Sequence, residues 1–100
     1  MQLELEFEPI REWATNKGIY AKGDPKTQTL KLVEEAGELA KAVLNNEIDE
    51  VEDAIGDCVV VLTSIAKMYD LTIEQCINSA YQVIAKRSGR MENGTFIKDK

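Results

Sequence analysis

Through most of this chain apolar residues recur at intervals of three and four, the period of helices with one buried face. Residues 1–8 are ambiguous. Leu3, Leu5 and Phe7 alternate with glutamates as in a strand, while Leu3, Phe7 and Ile10 also fit a helix. Pro9 suits a first helical turn, so a helix is expected over about Pro9–Lys17, ended by Gly18, with Ile10, Trp13 and Ala14 as its apolar stripe. Ile19–Gly23 reads as a loop. Asp24-Pro25 then gives an N-cap and a first helical residue for a second helix, running to about Leu44 and closed by Asn45-Asn46. Its apolar positions form two lobes: Leu32, Leu39 and Val43 in one, and Leu30, Val33, Gly37, Ala40 and Leu44 in the other. Two lobes imply two neighbours, and Gly37 suggests a close approach of another helix.

A third helix should run from Ile48 to Met68 or Tyr69, with Asp49, Glu52, Gly56, Thr63 and Lys67 toward solvent. Thr72-Ile73-Glu74-Gln75 is a capping box opening a fourth helix. Its core face is Ile73, Cys76, Ile77, Ala80, Tyr81 and Ile84; Lys86 and Arg87 fall in its last turn, and Ser88-Gly89 ends it. Residues 90–97 contain Asn93-Gly94 and read as an arm or short hairpin. The fold class expected is all-α, a bundle of four main helices in one domain over residues 1–100.

Charge narrows the functional classes. Eighteen acidic against twelve basic residues leave a net charge of −6, which argues against a nucleic-acid polymer as partner. No apolar run is long enough for a membrane span, and the N-terminus lacks the basic region of a signal peptide, so a cytoplasmic chain is expected. Cys58 and Cys76 are far apart without a CxxC pattern, as expected of reduced, buried thiols. Histidine is absent, so histidine-based triads and zinc motifs are excluded. A metal here would be held by oxygen, which points to Mg²⁺ or Mn²⁺.

Two acidic sets could hold it. Glu34, Glu35 and Glu38 lie on the second helix, with Glu35 and Glu38 neighbours and Glu35 at the edge of an apolar lobe. Glu50, Asp53 and Asp57 lie on the third, along a stripe continued by Val60, Val61, Ser64 and Met68. Acids that only solvate a helix need not continue a core stripe. Facing each other, the sets would repel unless a cation joined them. The chemistry that follows is metal-assisted hydrolysis of a phosphate substrate, by a water activated by metal or carboxylate. The plain alternative is two solvated helix faces on a non-enzymatic dimerisation module. Trp13 is open between a core role and base stacking.

Glu34-Glu35-x-x-Glu38, followed by an acidic set ending Ile55-Gly56-Asp57, resembles the all-α nucleoside triphosphate pyrophosphatases, in particular the MazG-like group. Gln28-x-x-Lys31-Leu32-x-Glu34-Glu35-x-Gly37-Glu38-Leu39 and Arg87-Ser88-Gly89-Arg90-Met91-x-Asn93-Gly94-Thr95-Phe96 extend the likeness from about Trp13 to Lys98. The resemblance implies Mg²⁺-dependent cleavage of an NTP or dNTP between the α- and β-phosphates, giving NMP and pyrophosphate. A phosphoribosyl-ATP pyrophosphatase is the enzymatic alternative. It also implies a bundle completed as a homodimer or homotetramer. It assigns Glu35 and Glu38 as ligands with Glu34 beside them. The family's second motif, Glu-x-x-Asp, is not matched with Asp57 as its aspartate, because Ala54 holds the glutamate position. Asp53 could substitute, or Glu50-x-x-Asp53 could be the motif; both include Asp53, with Asp57 retained and Glu50 auxiliary. Lys86, Arg87 and Arg90 become candidates for the triphosphate. Lys31 is either one of these or an intrahelical partner of Glu34 or Glu35.

Overall fold

The computed structural model describes residues 3–99, with side chains from Phe7 onward. Met1 and Gln2, part of the ambiguous N-terminal stretch, lie outside it. Five helices precede a hairpin: α1 (Leu3–Asn16), α2 (Ile19–Lys22), α3 (Pro25–Leu44), α4 (Ile48–Met68), α5 (Ile73–Ile84), β1 (Gly89–Glu92) and β2 (Thr95–Lys98). The fold is all-α with four main helices. Among the described residues no helix is long and apolar enough to cross a membrane.

Local chemistry sets most boundaries. Asp24 accepts from the Thr27 backbone N–H at 2.8 Å and from its hydroxyl at 2.9 Å, starting α3. Asn46, in the left-handed region at φ 56°, lets the Glu47 N–H reach the Ala42 carbonyl at 3.0 Å and closes α3. Thr72 and Gln75 form the reciprocal capping box of α5. Asn93 and Gly94, both at positive φ, turn the antiparallel hairpin, in which Arg90 faces Ile97 and Met91 faces Phe96.

Other expectations change. α1 begins well before Pro9, which lies inside it without an N–H to give the helical ladder. Residues 19–22 are one helical turn rather than a loop. α5 ends at Ile84, so Lys86 and Arg87 follow the helix instead of occupying its last turn.

Packing centres on α3 against α4, with α1, α2 and α5 gathered around α4. That arrangement buries α4 on more than one side, which is why Thr63, expected in solvent, is buried. Its hydroxyl is satisfied by the Val59 carbonyl at 2.7 Å. Among the described residues the buried apolar side chains are Ala14, Ala42, Ala54, Val61 and Ala66. The second lobe of α3 is uncovered, with Leu30 71%, Val33 65% and Leu44 84% exposed, and Gly37 has no neighbour close to where a Cβ would sit. The expected core face of α5 is also open at Ile77, Tyr81 and Ile84; Cys76 is exposed and Cys58 half-buried, against the expectation of buried thiols. The radius of gyration is 15.7 Å, above the roughly 13 Å of a compact chain this long.

One tie between distant segments is ionic. Arg11 on α1 grips Glu74 on α5 fork to fork, at 2.6 and 2.7 Å, and also pairs with Glu8 at 2.9 Å. The guanidinium holds the Glu74 carboxyl below the usual range. Glu74→Gln leaves a largely covered cation without its main partner and should cost about 2 kcal/mol in urea unfolding. Glu8→Gln, on the exposed side of the same arginine, should cost under about 1 kcal/mol.

Candidate active site

Where α3 and α4 meet, burial follows a three-four alternation on both helices. Gln28, Leu32, Glu35, Leu39 and Ala42 form the seam of α3, and Ala54, Asp57, Val61 and Ser64 that of α4. Two of these positions are acids. Glu35 is 6% exposed in the middle of its seam, and Asp57 is partly buried in the other. Lys31, one turn back, reaches Glu35 Oε1 at 3.3 Å and Glu34 at 3.5 Å, so it is an intrahelical partner of both. Glu35 Oε2 is buried with no hydrogen-bond partner among the described residues. A buried acceptor left unpaired costs about 1–3 kcal/mol, so this oxygen is the atom most in need of a cation.

The remaining acids extend in a line from this point. The charge on Glu35, then desolvation, holds the Glu38 carboxyl above its ordinary value; Lys31 opposes this. Burial, then Asp53 and Glu35, does the same to Asp57. Glu38 and Glu50 share a 350 Å³ cleft with Lys41 and Glu47. Asp53 lies on the far side of Asp57, in a 590 Å³ cleft with Phe7, Ile10 and Val60. Glu50 and Asp53 are both exposed. Glu34 points away, with its side chain 61% exposed and Lys31 its ionic partner. Among the described residues no three of these acids close into a ready-made cage. They form an open row with Glu35 and Asp57 at its centre.

Ala54 is buried between the helices. Asp53, one residue earlier, is exposed and lines a cleft together with Asp57, Phe7 and Ile10.

A third cleft, of 320 Å³, opens from this row. Trp13, Ile19, Val60 and Val61 give it apolar walls; Thr27, Gln28 and Ser64 supply polar groups; Lys31, Glu35 and Asp57 stand in the same lining. Trp13 is 48% exposed, so it is a wall of this cleft rather than a core residue. Gln28, Ile19 and Ser64 carried no site assignment from sequence. The seam spacing 57, 61, 64 opposite 28 and 35 was the signal that could have found Gln28 and Ser64; Ile19, on α2, lies on neither seam. Lys86, Arg87 and Arg90 line none of these clefts.

The two raised carboxyls make a prediction with a definite sign. Each binds protons more tightly folded than unfolded, so its favourable contribution is complete below the unfolded values, 3.8 for Asp57 and 4.5 for Glu38, and is lost as pH rises through the folded ones. Asp57→Asn should therefore raise the melting temperature of the metal-free protein at pH 7, and the gain should shrink toward zero near pH 4. A gain that does not depend on pH would contradict the repulsion.

A model of the MazG nucleotide pyrophosphohydrolase domain matches residues 24–94. The chain belongs to this family. The matched segment contains both acidic helices, α5, β1 and the turn after it, whereas α1, with Trp13 and Arg11, precedes it. The chain is also 41% identical over 65 residues to an uncharacterized 18.2 kDa protein from the rep-hol intergenic region of Haemophilus phage HP1 (strain HP1c1). That alignment covers 65% of this chain and 40% of the phage protein. No solved structure matches.

Proposed function

We propose that this MazG domain hydrolyses a nucleoside triphosphate, ribo or deoxy, between the α- and β-phosphates with the help of Mg²⁺, Mn²⁺ being able to replace it. The observation that carries this reading is the pair Glu35 and Asp57. Each is drawn into the interhelical seam and faces like charge, and Glu35 keeps one oxygen unpaired. Acids that served only solubility would sit where Glu34 does.

The donor set fits a hard divalent cation. It is all carboxylate, open on one side, and leaves room for water and phosphate oxygens. Glu35 and Asp57 would hold the ion, with Glu38 adjoining and Asp53 and Glu50 at the ends of the row. Bound there, Mg²⁺ supplies neutralisation of triphosphate charge and a lower pKa for attacking water. The chain's own groups do the rest. Lys31 holds the Glu35 carboxylate through its Oε1 contact, leaving the buried Oε2 without a partner among the described residues. Glu38, whose proton affinity is raised by its neighbour, is placed to accept a proton from water. The walls of Trp13, Ile19, Val60 and Val61 give the nucleoside an apolar seat, with Trp13 offering a stacking face. A dimeric or tetrameric assembly would cover the open lobe of α3 and the open face of α5.

Incubation with a panel of NTPs, dNTPs and phosphoribosyl-ATP plus Mg²⁺ tests the reading. Release of pyrophosphate and monophosphate supports it, and the preferred member separates the two substrate classes. Release of orthophosphate alone, or of nothing, contradicts it.

A further inference from the structure

Trp13 walls the apolar cleft beside the acidic row, yet its helix is gripped from the other side. Along α1, Phe7, Ile10 and Trp13 make one stripe, and Glu8, Arg11 and Thr15 make another. At about 100° per residue, Trp13 stands roughly 200° around the helix from Arg11. The first stripe lines the clefts along the row: Phe7 and Ile10 beside Asp53 and Asp57, and Trp13 beside Lys31, Glu35 and Asp57. The second lines a separate cleft of 540 Å³ together with Lys67, Asp70 and Thr72.

α1 does not take its position from α3, which it faces across the cleft. Among the described residues, no Cα of α1 lies within 8 Å of one in α3; α1 packs on α2, α4 and α5. From Phe7 to Asn16, Ala14 alone is buried. One small side chain buries little apolar area, so packing fixes the helix weakly about its own axis. Arg11 supplies the direction that packing lacks. Its planar fork meets both Glu74 oxygens, at 2.6 and 2.7 Å, in an arrangement that favours one orientation. The two side chains are 12% and 16% exposed, so solvent and salt screen the pair little. Glu74 is itself held in the first turn of α5, inside the capping box of Thr72 and Gln75. Glu8 also touches Arg11, but it belongs to α1 and ties that helix to nothing else.

We propose that Arg11 and Glu74 are positioning residues: their ion pair clamps α1 to α5 so that Trp13 meets the nucleoside, and in this way sets the affinity for substrate. This rests on the hydrolase reading above and adds a control of substrate binding that lies outside the acidic row. Neither residue lines a cleft of that row, so the pair acts through the placement of Trp13 and touches neither phosphate nor cation. The clamp joins a helix that precedes the matched MazG segment to one within it.

Steady-state kinetics and the fluorescence of Trp13, the chain's one tryptophan, test this at temperatures well below each variant's unfolding. Glu74→Gln should raise KM about tenfold, the worth of a base stack, with kcat within about twofold of wild type. Its Mn²⁺ affinity without nucleotide should be unchanged. Arg11→Lys, the milder change, keeps the charge but loses the fork and should raise KM as well. Without nucleotide, acrylamide should quench Trp13 more strongly in both variants. Glu8→Gln should match the wild type throughout. In a Trp13→Ala background Glu74→Gln should add less than about twofold to KM, because the clamp acts through that ring. The proposal is overturned if Glu74→Gln keeps the wild-type KM, if Glu8→Gln raises KM as much, or if the effect of Glu74→Gln persists in full beside Trp13→Ala. A wild type that releases no pyrophosphate brings down the hydrolase reading. The clamp is then judged by quenching: stronger quenching in Glu74→Gln but not in Glu8→Gln supports it, and equal quenching in Glu74→Gln and wild type overturns it.

Discussion

Glu35→Gln should abolish turnover, by about 10³-fold or more, and leave the fold in place. The substitution keeps the shape of a side chain that is 6% exposed between two helices. It removes the charge that raises the proton affinity of both Glu38 and Asp57. The Lys31 contact is weakened, but that lysine is half exposed and retains Glu34, so the loss is small. Stability without metal should thus change by less than about 1 kcal/mol, while the seat for the cation is lost. Glu34→Gln is the matched control. It removes an equal charge one residue away, from a side chain 61% exposed, and should lower the rate by no more than about threefold. Steady-state pyrophosphate release from the two variants measures the contrast. Equal losses would mean that the acidic helix acts through net charge and has no defined site.

The second large effect is that of the metal on stability. Carboxylates that repel one another in the folded state weaken it at neutral pH, and a cation that binds only the folded row reverses this. At a hundredfold excess over its dissociation constant the linkage gives about 2.7 kcal/mol, or a rise in melting temperature on the order of 10 °C for a chain of this length. Chelation should remove both the rise and the activity. The sign with pH follows from the same groups: cation binding needs Asp57 and Glu38 ionised, so the rise should be full at pH 7 and fade as pH falls toward 4. Scanning fluorimetry with Mg²⁺, Mn²⁺ and chelator across pH reads this out. A rise of equal size at pH 4 and pH 7 would point to ions acting elsewhere.

The features legible in the sequence were those decided by neighbouring residues. Asp24 with Thr27, Thr72 with Gln75, and Asn93 with Gly94 each form contacts within three residues, so composition alone placed these boundaries. The two-lobed band of α3 was also readable, and its outer lobe is open in the single chain. Features that depended on what packs where were less accessible. Thr63 reads as a solvent residue until α4 is surrounded by other helices. Arg11 and Glu74 are 63 residues apart, and nothing local joins them. The acidic stripe of α4 could be seen but not its centre. The buried line runs through Ala54, Asp57, Val61 and Ser64, which leaves Asp53 and Glu50 at its margin and makes Asp57 the partner of Glu35.

The central claim is that Glu35 and Asp57, drawn together across the α3–α4 seam, hold the catalytic cation. Calorimetric titration of Mn²⁺ into the protein bearing a non-hydrolysable α,β-imido nucleotide tests it most directly. The account predicts saturable binding in the wild type and in Glu34→Gln, and a loss of at least about tenfold in affinity in both Glu35→Gln and Asp57→Asn. Wild-type affinity in either of the last two would contradict it.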